Sequence, residues 1–404
     1  FAPFFVTQFL GALNDNVFRN GLVILITFQG IIVAGMDHTQ LANVAAGLFI
    51  LPYFLFSATA GQLADKYEKS MLIRRIKLLE IGLMAAASAA LVTGSYALLL
   101  LVLFLMGLQS TLFGPVKYAY LPQQLADDEL IGGNALVESG TYIAIILGLI
   151  AGGIAVGDEI AAALGVSKQA VLSACLVAVA VTGYLASREI PVTRAVDPDL
   201  RINWNAWQET WHIVQFAREE RSVFLSILGI SWFWFYGSAM TIQIPAYTLD
   251  ILNGSESITT FLLAAFAVGV GIGSLLCERL SGHRIELGLV PFGAIGMSLF
   301  ALDLYLANPD AQAVSATTIA EFLARPGGSR IWFDLVMIGA FGGFYSVPLY
   351  ALIQQRSERS HLSRIIAANN IINALLMVAA AIMSMMLLDA GLSIPQLFLV
   401  IAVL

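Results

Sequence analysis

Charge is what this chain has least of. Asp, Glu, Lys and Arg together make up 12% of its 404 residues, while 59% are hydrophobic. Soluble domains carry about 25% charged residues, so a soluble globular class is excluded. Cysteine occurs twice, as Cys175 and Cys277 in apolar runs, and no disulfide framework or metal site follows. None of the four histidines (His38, His212, His283, His361) has the aspartate of an H-x-x-x-x-D acyltransferase pattern. No G-x-x-x-x-G-K-[ST] stretch is present to cradle ATP. Neither an enzyme nor an ATP-driven pump is expected, and no cofactor beyond a coupling ion. The net charge is −7 and no basic block occurs, so nucleic acid is not an expected partner. There is no initiator Met and the last apolar run stops at Leu404, so both ends are expected to be trimmed.

What fills the chain is hydrocarbon. Twelve apolar runs are long enough to span a bilayer, near 4–34, 40–64, 72–94, 97–119, 131–156, 168–187, 222–249, 257–280, 286–307, 331–353, 363–388 and 393 to the end. The reading is an all-α polytopic membrane protein. Placing the N-terminus inside puts sixteen Lys and Arg in inner loops, among them Lys66, Lys69, Lys77, Lys117 and Arg359. Only Lys168, Arg325 and Arg330 then lie outside. Both termini are therefore expected in the cytoplasm. A polar interval, 188–221, with Trp204, Trp207 and Trp211, divides six spans (1–187) from six (222–404). Pro115 to Gln124 echoes Pro348 to Gln355, and the outer interval 308–328 absorbs the difference in offset. Parallel six-span repeats indicate the major-facilitator architecture. Two halves in one chain need no partner to form a cleft, so a monomer is expected.

Polar residues stand out against this background. Gln8, Asn14, Asp15, Asn16 and Arg19 interrupt the first span, with Gly11, Asp15 and Arg19 on nearly one face. A carboxylate in hydrocarbon costs roughly 2.5–3.5 kcal/mol on insertion scales unless it faces a polar interior. Asp15 is thus the leading ion-coupling residue, with Arg19 its nearest counter-charge. Asn134, Glu138 and Tyr142 share a face of the fifth span, and Asn369, Asn370 and Asn373 occupy the corresponding region of the eleventh without charge. Lys117 follows Gly114-Pro115, suited to a phosphate or to pairing with Glu138 or Asp15, unless it snorkels to the interface. The seventh span carries Trp232-Phe233-Trp234-Phe235-Tyr236, read first as an interfacial aromatic belt and second as a pocket lining. Glu80, Asp303 and Asp334 are expected at headgroup level. Gly61-Gln-Leu-Ala-Asp65-Lys66-Tyr-Glu68-Lys69 resembles the G-x-L-A-D-[RK]-x-G-[RK] loop of the major facilitator superfamily, with Glu68 in place of Gly. It reads as a conformational latch in which Asp65 pairs with a basic residue of its own half.

Gln8 to Asn16, Gly114-Pro-Val-Lys117-Tyr118 and Gly133-Asn134-Ala-Leu-Val-Glu138-Ser139 resemble the bacterial lysophospholipid transporter family, a branch of that superfamily. The likeness is to the transporter module that some bacteria fuse to an acyltransferase and an acyl-carrier-protein ligase. It implies a sodium-coupled flippase moving lysophosphatidylethanolamine and related lysolipids to the inner leaflet of the inner membrane, where they are re-acylated. It implies Asp15, Asn16 and Glu138 in ion coupling. Gln8, Asn14, Arg19, Lys117, Asn134, Tyr142, Trp234, Gln243, Asn370 and Asn373 are the expected substrate-binding residues. Where some relatives have an Arg in the seventh span, this chain reads Met240-Thr-Ile-Gln243, leaving only a neutral hydrogen bond. Two other readings stay open: a proton-coupled exporter of amphipathic molecules, and a passive lipid scramblase.

Overall fold

Long apolar segments in lipid must satisfy their backbone groups internally, and helices are how this chain does so. The computed structural model describes residues 1–28, 38–282, 284–307, 318–358 and 361–404; the readings that rest on His283, Arg359 and 308–317 lie outside it. Fifteen α-helices run through the described residues: α1 (Ala2–Phe28), α2 (His38–Lys66), α3 (Lys69–Thr93), α4 (Tyr96–Gln124), α5 (Leu130–Val156), α6 (Asp158–Leu164), α7 (Lys168–Arg188), α8 (Ala206–Ala217), α9 (Arg221–Ala246), α10 (Glu256–Leu280), α11 (Leu289–Leu306), α12 (Ile319–Ala324), α13 (Gly328–Arg356), α14 (Leu362–Asp389) and α15 (Ile394–Val403). Ten are long and apolar enough to cross a membrane. The first and twelfth expected spans fall on α1, whose apolar run is broken by polar residues, and on α15, which has 10 residues. Pro245 lacks the N–H that would continue α9, and a π-helical turn, Tyr247–Ile251, follows at once.

The chain forms two compact units. The first comprises Phe1–Leu125, Ala144–Arg221 and Arg356–Ala374; the second comprises Ala126–Ile143, Ser222–Gln355 and Leu375–Leu404. Compactness therefore groups the start of α5 with the later helices and the start of α14 with the earlier ones.

In the first unit α4 packs on α2 and α3, and α7 on α1 and α3. Val17, Phe18 and Leu22 of α1 meet Leu103 of α4 and Leu172 and Leu176 of α7 in its core. The interval 189–205 is strapped to the α2–α3 end rather than hanging free. The Thr193 N–H and hydroxyl donate to Glu68 Oε1 at 2.9 and 2.8 Å. Gln62 and Asn203 exchange hydrogen bonds, and Lys66 Nζ donates to the Leu200 carbonyl at 2.8 Å. Trp204, Trp207 and Trp211 remain exposed along α8 and the residues before it.

In the second unit α10 and α13 run backbone to backbone. A Cβ on Gly273 would collide with the Ala340 carbonyl, and one on Gly343 would meet the Ser274 nitrogen, so this approach requires glycine.

Candidate functional site

The first unit buries a connected polar cluster around α1. Asp15 Oδ2 accepts from the Ser110 hydroxyl of α4 at 2.6 Å. Ser110 also lies 3.2 Å from Gln109 Oε1, but it has one proton to give. Gln109 Nε2 donates to Glu80 Oε2 of α3 at 3.1 Å, Asn14 Nδ2 donates to Glu80 Oε1 at 2.8 Å, and Lys77 Nζ pairs with Glu80 Oε2 at 2.6 Å. Three helices thus contribute to one chain: Asp15, Ser110, Gln109, Glu80 and Lys77, with Asn14 bracing it from α1. Asp15 retains some accessible surface although protein surrounds it, while Asn14, Lys77 and Glu80 are fully buried. The Lys77 ammonium fits because Gly11 of α1 and Gly183 of α7 leave room: a Cβ there would sit 2.9 and 3.2 Å from Nζ.

Two sequence expectations are corrected here. Lys77 is not a loop residue; it lies about 12 Å along α3 at 1.5 Å per residue, sealed inside the bundle. Glu80 is not at headgroup level but at mid-helix with no exposed surface. A charged pair at (i, i+3) inside a span was legible as spacing, yet Lys77 was grouped with the basic loop that precedes it. Arg19, expected as the counter-charge of Asp15, donates to Asn16 Oδ1 at 2.8 Å, and its guanidinium lies 5.6 Å from the Phe49 ring centroid. Arg19 and Lys77 still reach Asp15 electrostatically, against Glu80.

The remaining expected residues of this unit lie around the same helices. Gln8 is buried on α1, and Lys117 Nζ sits 5.0 Å from the Tyr118 ring centroid. Asn370 Nδ2 points at Gly114, and Asn373 is buried one turn on. Asn369, not singled out as a site residue, is fully buried, and among the described residues neither of its amide atoms has a hydrogen-bond partner.

The latch has a partner other than the one expected. Asp65 Oδ2 accepts from Arg364 Nε of α14 at 2.9 Å, so the cation comes from the second half of the sequence, not from the half of Asp65 itself. Gly61 makes this possible, packing directly against Ser363, Arg364 and Ala367. Lys66 is committed to the Leu200 carbonyl, and Lys69 is buried at the start of α3 near Asp65. Glu68, the departure from the superfamily pattern, caps α3 by accepting from the Ser70 and Met71 N–H groups at 2.7 Å each. Partial burial pushes its carboxyl up, but the Thr193 and Ser70 hydrogen bonds outweigh this and hold it below the ordinary value.

In the second unit Asn134 and Gln354 form a reciprocal amide pair, 2.6 and 3.1 Å, and the Ser139 hydroxyl donates to the Gly271 carbonyl at 2.9 Å. Glu138 is buried on the same helix, and Tyr142 lies beside it and Tyr350. Trp234 Nε1 donates to Tyr350 Oη at 3.4 Å. The aromatic run of α9 is no belt: it sits at mid-helix with Phe233, Phe235 and Tyr236 buried, and the Tyr236 hydroxyl donates to the Met297 carbonyl at 3.0 Å. Gln243 is buried near the end of α9. Asp334, expected at headgroup level, is fully buried, whereas Asp303 is partly exposed and paired with Arg330.

Comparison with known proteins agrees with this architecture. The lysophospholipid transporter LplT of Cronobacter sakazakii is 28% identical over 357 residues, covering 88% of this chain and 80% of the relative. LplT of Serratia proteamaculans is 28% identical over 359 residues, covering 87% and 79%. Among solved structures, the transporter FucP in the outward conformation superposes with a TM-score of 0.74 at 14% identity, covering 100% of this chain and 95% of FucP. The human organic anion transporter MFSD10 gives 0.72 at 12% identity, covering 99% and 96%. Likeness at such identities shows the fold alone. The pattern of the Major Facilitator Superfamily matches residues 4–381, so this chain is a multi-pass membrane protein that belongs to that superfamily of transporters.

Proposed function

We propose that this protein is a lysophospholipid transporter of the bacterial inner membrane. It moves lysophosphatidylethanolamine and similar single-chain lipids from the outer to the inner leaflet by alternating access, with sodium as the coupling ion. The observation that carries the reading is the buried Asp15 cluster, set in a chain whose relatives over most of its length are lysophospholipid transporters. A lysolipid suits such a site. Its acyl chain can stay against apolar helix surface while its zwitterionic headgroup meets neutral amides and few net charges.

The coupling follows from the single Ser110 proton. With Asp15 ionised and unoccupied, that proton is held at Asp15 Oδ2. A cation bound at Asp15 weakens the hold and frees the hydroxyl to turn toward Gln109, which in turn contacts Glu80. Occupancy at α1 is thereby felt at α3 and α4. On the proposed orientation, with both termini in the cytoplasm, Asp65–Arg364 and Asn134–Gln354 lie at the cytoplasmic ends of their helices. Each ties an early helix to a late one and must part when that side opens. Asn16 and Glu138 are assigned to ion coupling. Gln8, Asn14, Arg19, Lys117, Asn134, Tyr142, Trp234, Gln243, Asn370 and Asn373 are assigned to the headgroup path. The product is a substrate for re-acylation, which links the transporter functionally to an acyltransferase and an acyl-ACP ligase; the transporter itself acts as a monomer.

The test uses purified protein in liposomes with fluorescent lysophosphatidylethanolamine in the leaflet corresponding to the outer one. An inward sodium gradient is expected to accelerate its transfer, and unlabelled lysolipid, but not diacyl lipid, to compete. Transfer driven by a proton gradient alone contradicts sodium coupling; transfer indifferent to any gradient means a scramblase.

A further inference from the structure

The second unit holds a carboxyl group that the transport reading does not use. Asp334, on the second turn of α13, has no exposed surface. Among the described residues neither of its oxygens receives a hydrogen bond from an N–H or hydroxyl donor. Its hydrogen-bonding neighbour is another carboxyl, Asp303 near the end of α11. Asp303 is itself taken: Arg330 Nε donates to Oδ2 at 2.9 Å and Arg330 Nη2 to Oδ1. The Tyr247 hydroxyl, in the π-helical turn after α9, is likewise buried without a hydrogen-bond partner among the described residues, and it lies within electrostatic reach of Asp334.

Two carboxylates cannot hydrogen-bond to one another without a proton. Arg330 occupies both oxygens of Asp303 as an ionic partner would, which keeps Asp303 ionised. The shared proton therefore belongs on Asp334, whose O–H donates to Asp303. A buried carboxylate with no donor would be far more costly than a neutral acid. The route for exchange is present, because Asp303 and Arg330 are 37% and 47% exposed.

We propose that Asp334, Asp303 and Tyr247 form a proton-binding site clamped by Arg330, at the end of the second unit where α11 leads toward α13. The charged and titratable groups facing Asp334 are Asp303 from α11, Arg330 from its own helix and Tyr247 from the π turn. The proton passes from water through the Asp303 carboxylate to Asp334; when it leaves, the Tyr247 hydroxyl is the donor left to serve the Asp334 anion. On the orientation proposed above, this end faces outside. The site is independent of the Asp15 cluster and of the identity of the transported lipid.

Infrared difference spectroscopy of the full chain in nanodiscs, without substrate, reads the proton directly. Wild type is expected to show a protonated-carboxyl band at neutral pH that shifts in heavy water and is missing from Asp334→Asn. Asp303→Asn should move that band without removing it. Spectra of wild type and Asp334→Asn that coincide in the carboxyl region overturn the proposal. Should Asp334→Asn not yield folded protein by gel filtration, Tyr247→Phe decides: it is expected to keep the band and to lose it only at a higher pH than wild type. An unchanged titration would then contradict the assignment. None of these signals needs transport, so they stand or fall apart from the lysolipid reading.

Discussion

Glu80 in the first unit and Asp334 in the second are equally buried and differently accompanied. Glu80 is met by an ammonium and two amide donors from three helices. Asp334 is met by another carboxyl, with the Tyr247 hydroxyl only within electrostatic reach. The first unit keeps a charge in its interior by satisfying it, the second by neutralising it with a proton. A satisfied ionic network is rigid until one member changes partner; a neutral acid is quiet until it ionises. Two other buried polar contacts of the second unit, the Asn134–Gln354 pair and the Ser139 hydroxyl on the Gly271 carbonyl, join neutral groups.

The comparison is easiest to break at its strongest point. Glu80→Ala leaves the buried Lys77 ammonium without its ion-pair partner and should cost ~3–5 kcal/mol. It should appear as a large fall in thermal unfolding temperature or as loss of folded protein. Asp334→Asn, which swaps one neutral group for another, should stay within about 1 kcal/mol of wild type. Equal losses would mean that the two carboxyls are held alike.

Parting the latch comes next. Arg364→Ala leaves Asp65 buried beside Gly61 and should cost roughly 1–3 kcal/mol, the penalty for an unsatisfied buried group. Thiol labelling of a cysteine placed at Ser363 should rise at the same time; labelling no faster than in the unmutated background would refute the latch. The amide pair is smaller: Asn134→Ala and Gln354→Ala should each cost about 1–2 kcal/mol, and the double variant less than their sum.

Glu68 is the smallest effect, and it carries a pH sign. Its carboxyl is held below the ordinary value, so the stabilisation is complete at neutral pH and is lost as the pH falls through the lowered value, on the acid side of the ordinary glutamate range. Glu68→Ala should cost about 1 kcal/mol as a lost helix cap and abolish this acid-side loosening of the 189–205 strap. Limited proteolysis of that interval across pH reads both.

The spans were legible because hydrocarbon length is written residue by residue. The fourth expected span, 97–119, falls on α4, and the fifth, 131–156, on α5. The single carboxylate of α1 was legible for the same reason, since Asp15 interrupts an apolar run. What escaped the sequence was companionship. Nothing near Asp15 announces Ser110, 95 residues away, and nothing near Asp65 announces Arg364, 299 away. Lys77 and Glu80 were mislaid because a basic loop runs into α3 without a break, so position along the chain did not reveal depth in the bundle. The aromatic run of α9 misled in the opposite sense: its composition suits an interface, but its place at mid-helix buries it. Glu68 looked like a departure from a pattern and proved to be a cap.

The central claim, that Asp15 is where ion occupancy enters the cluster, is tested most directly by sodium-driven transfer of lysophosphatidylethanolamine in liposomes for wild type and Asp15→Asn. The substitution keeps a hydrogen-bonding partner for Ser110 and removes only the charge. The account predicts that folded Asp15→Asn loses the acceleration by the sodium gradient. Acceleration in Asp15→Asn equal to that of wild type would contradict it.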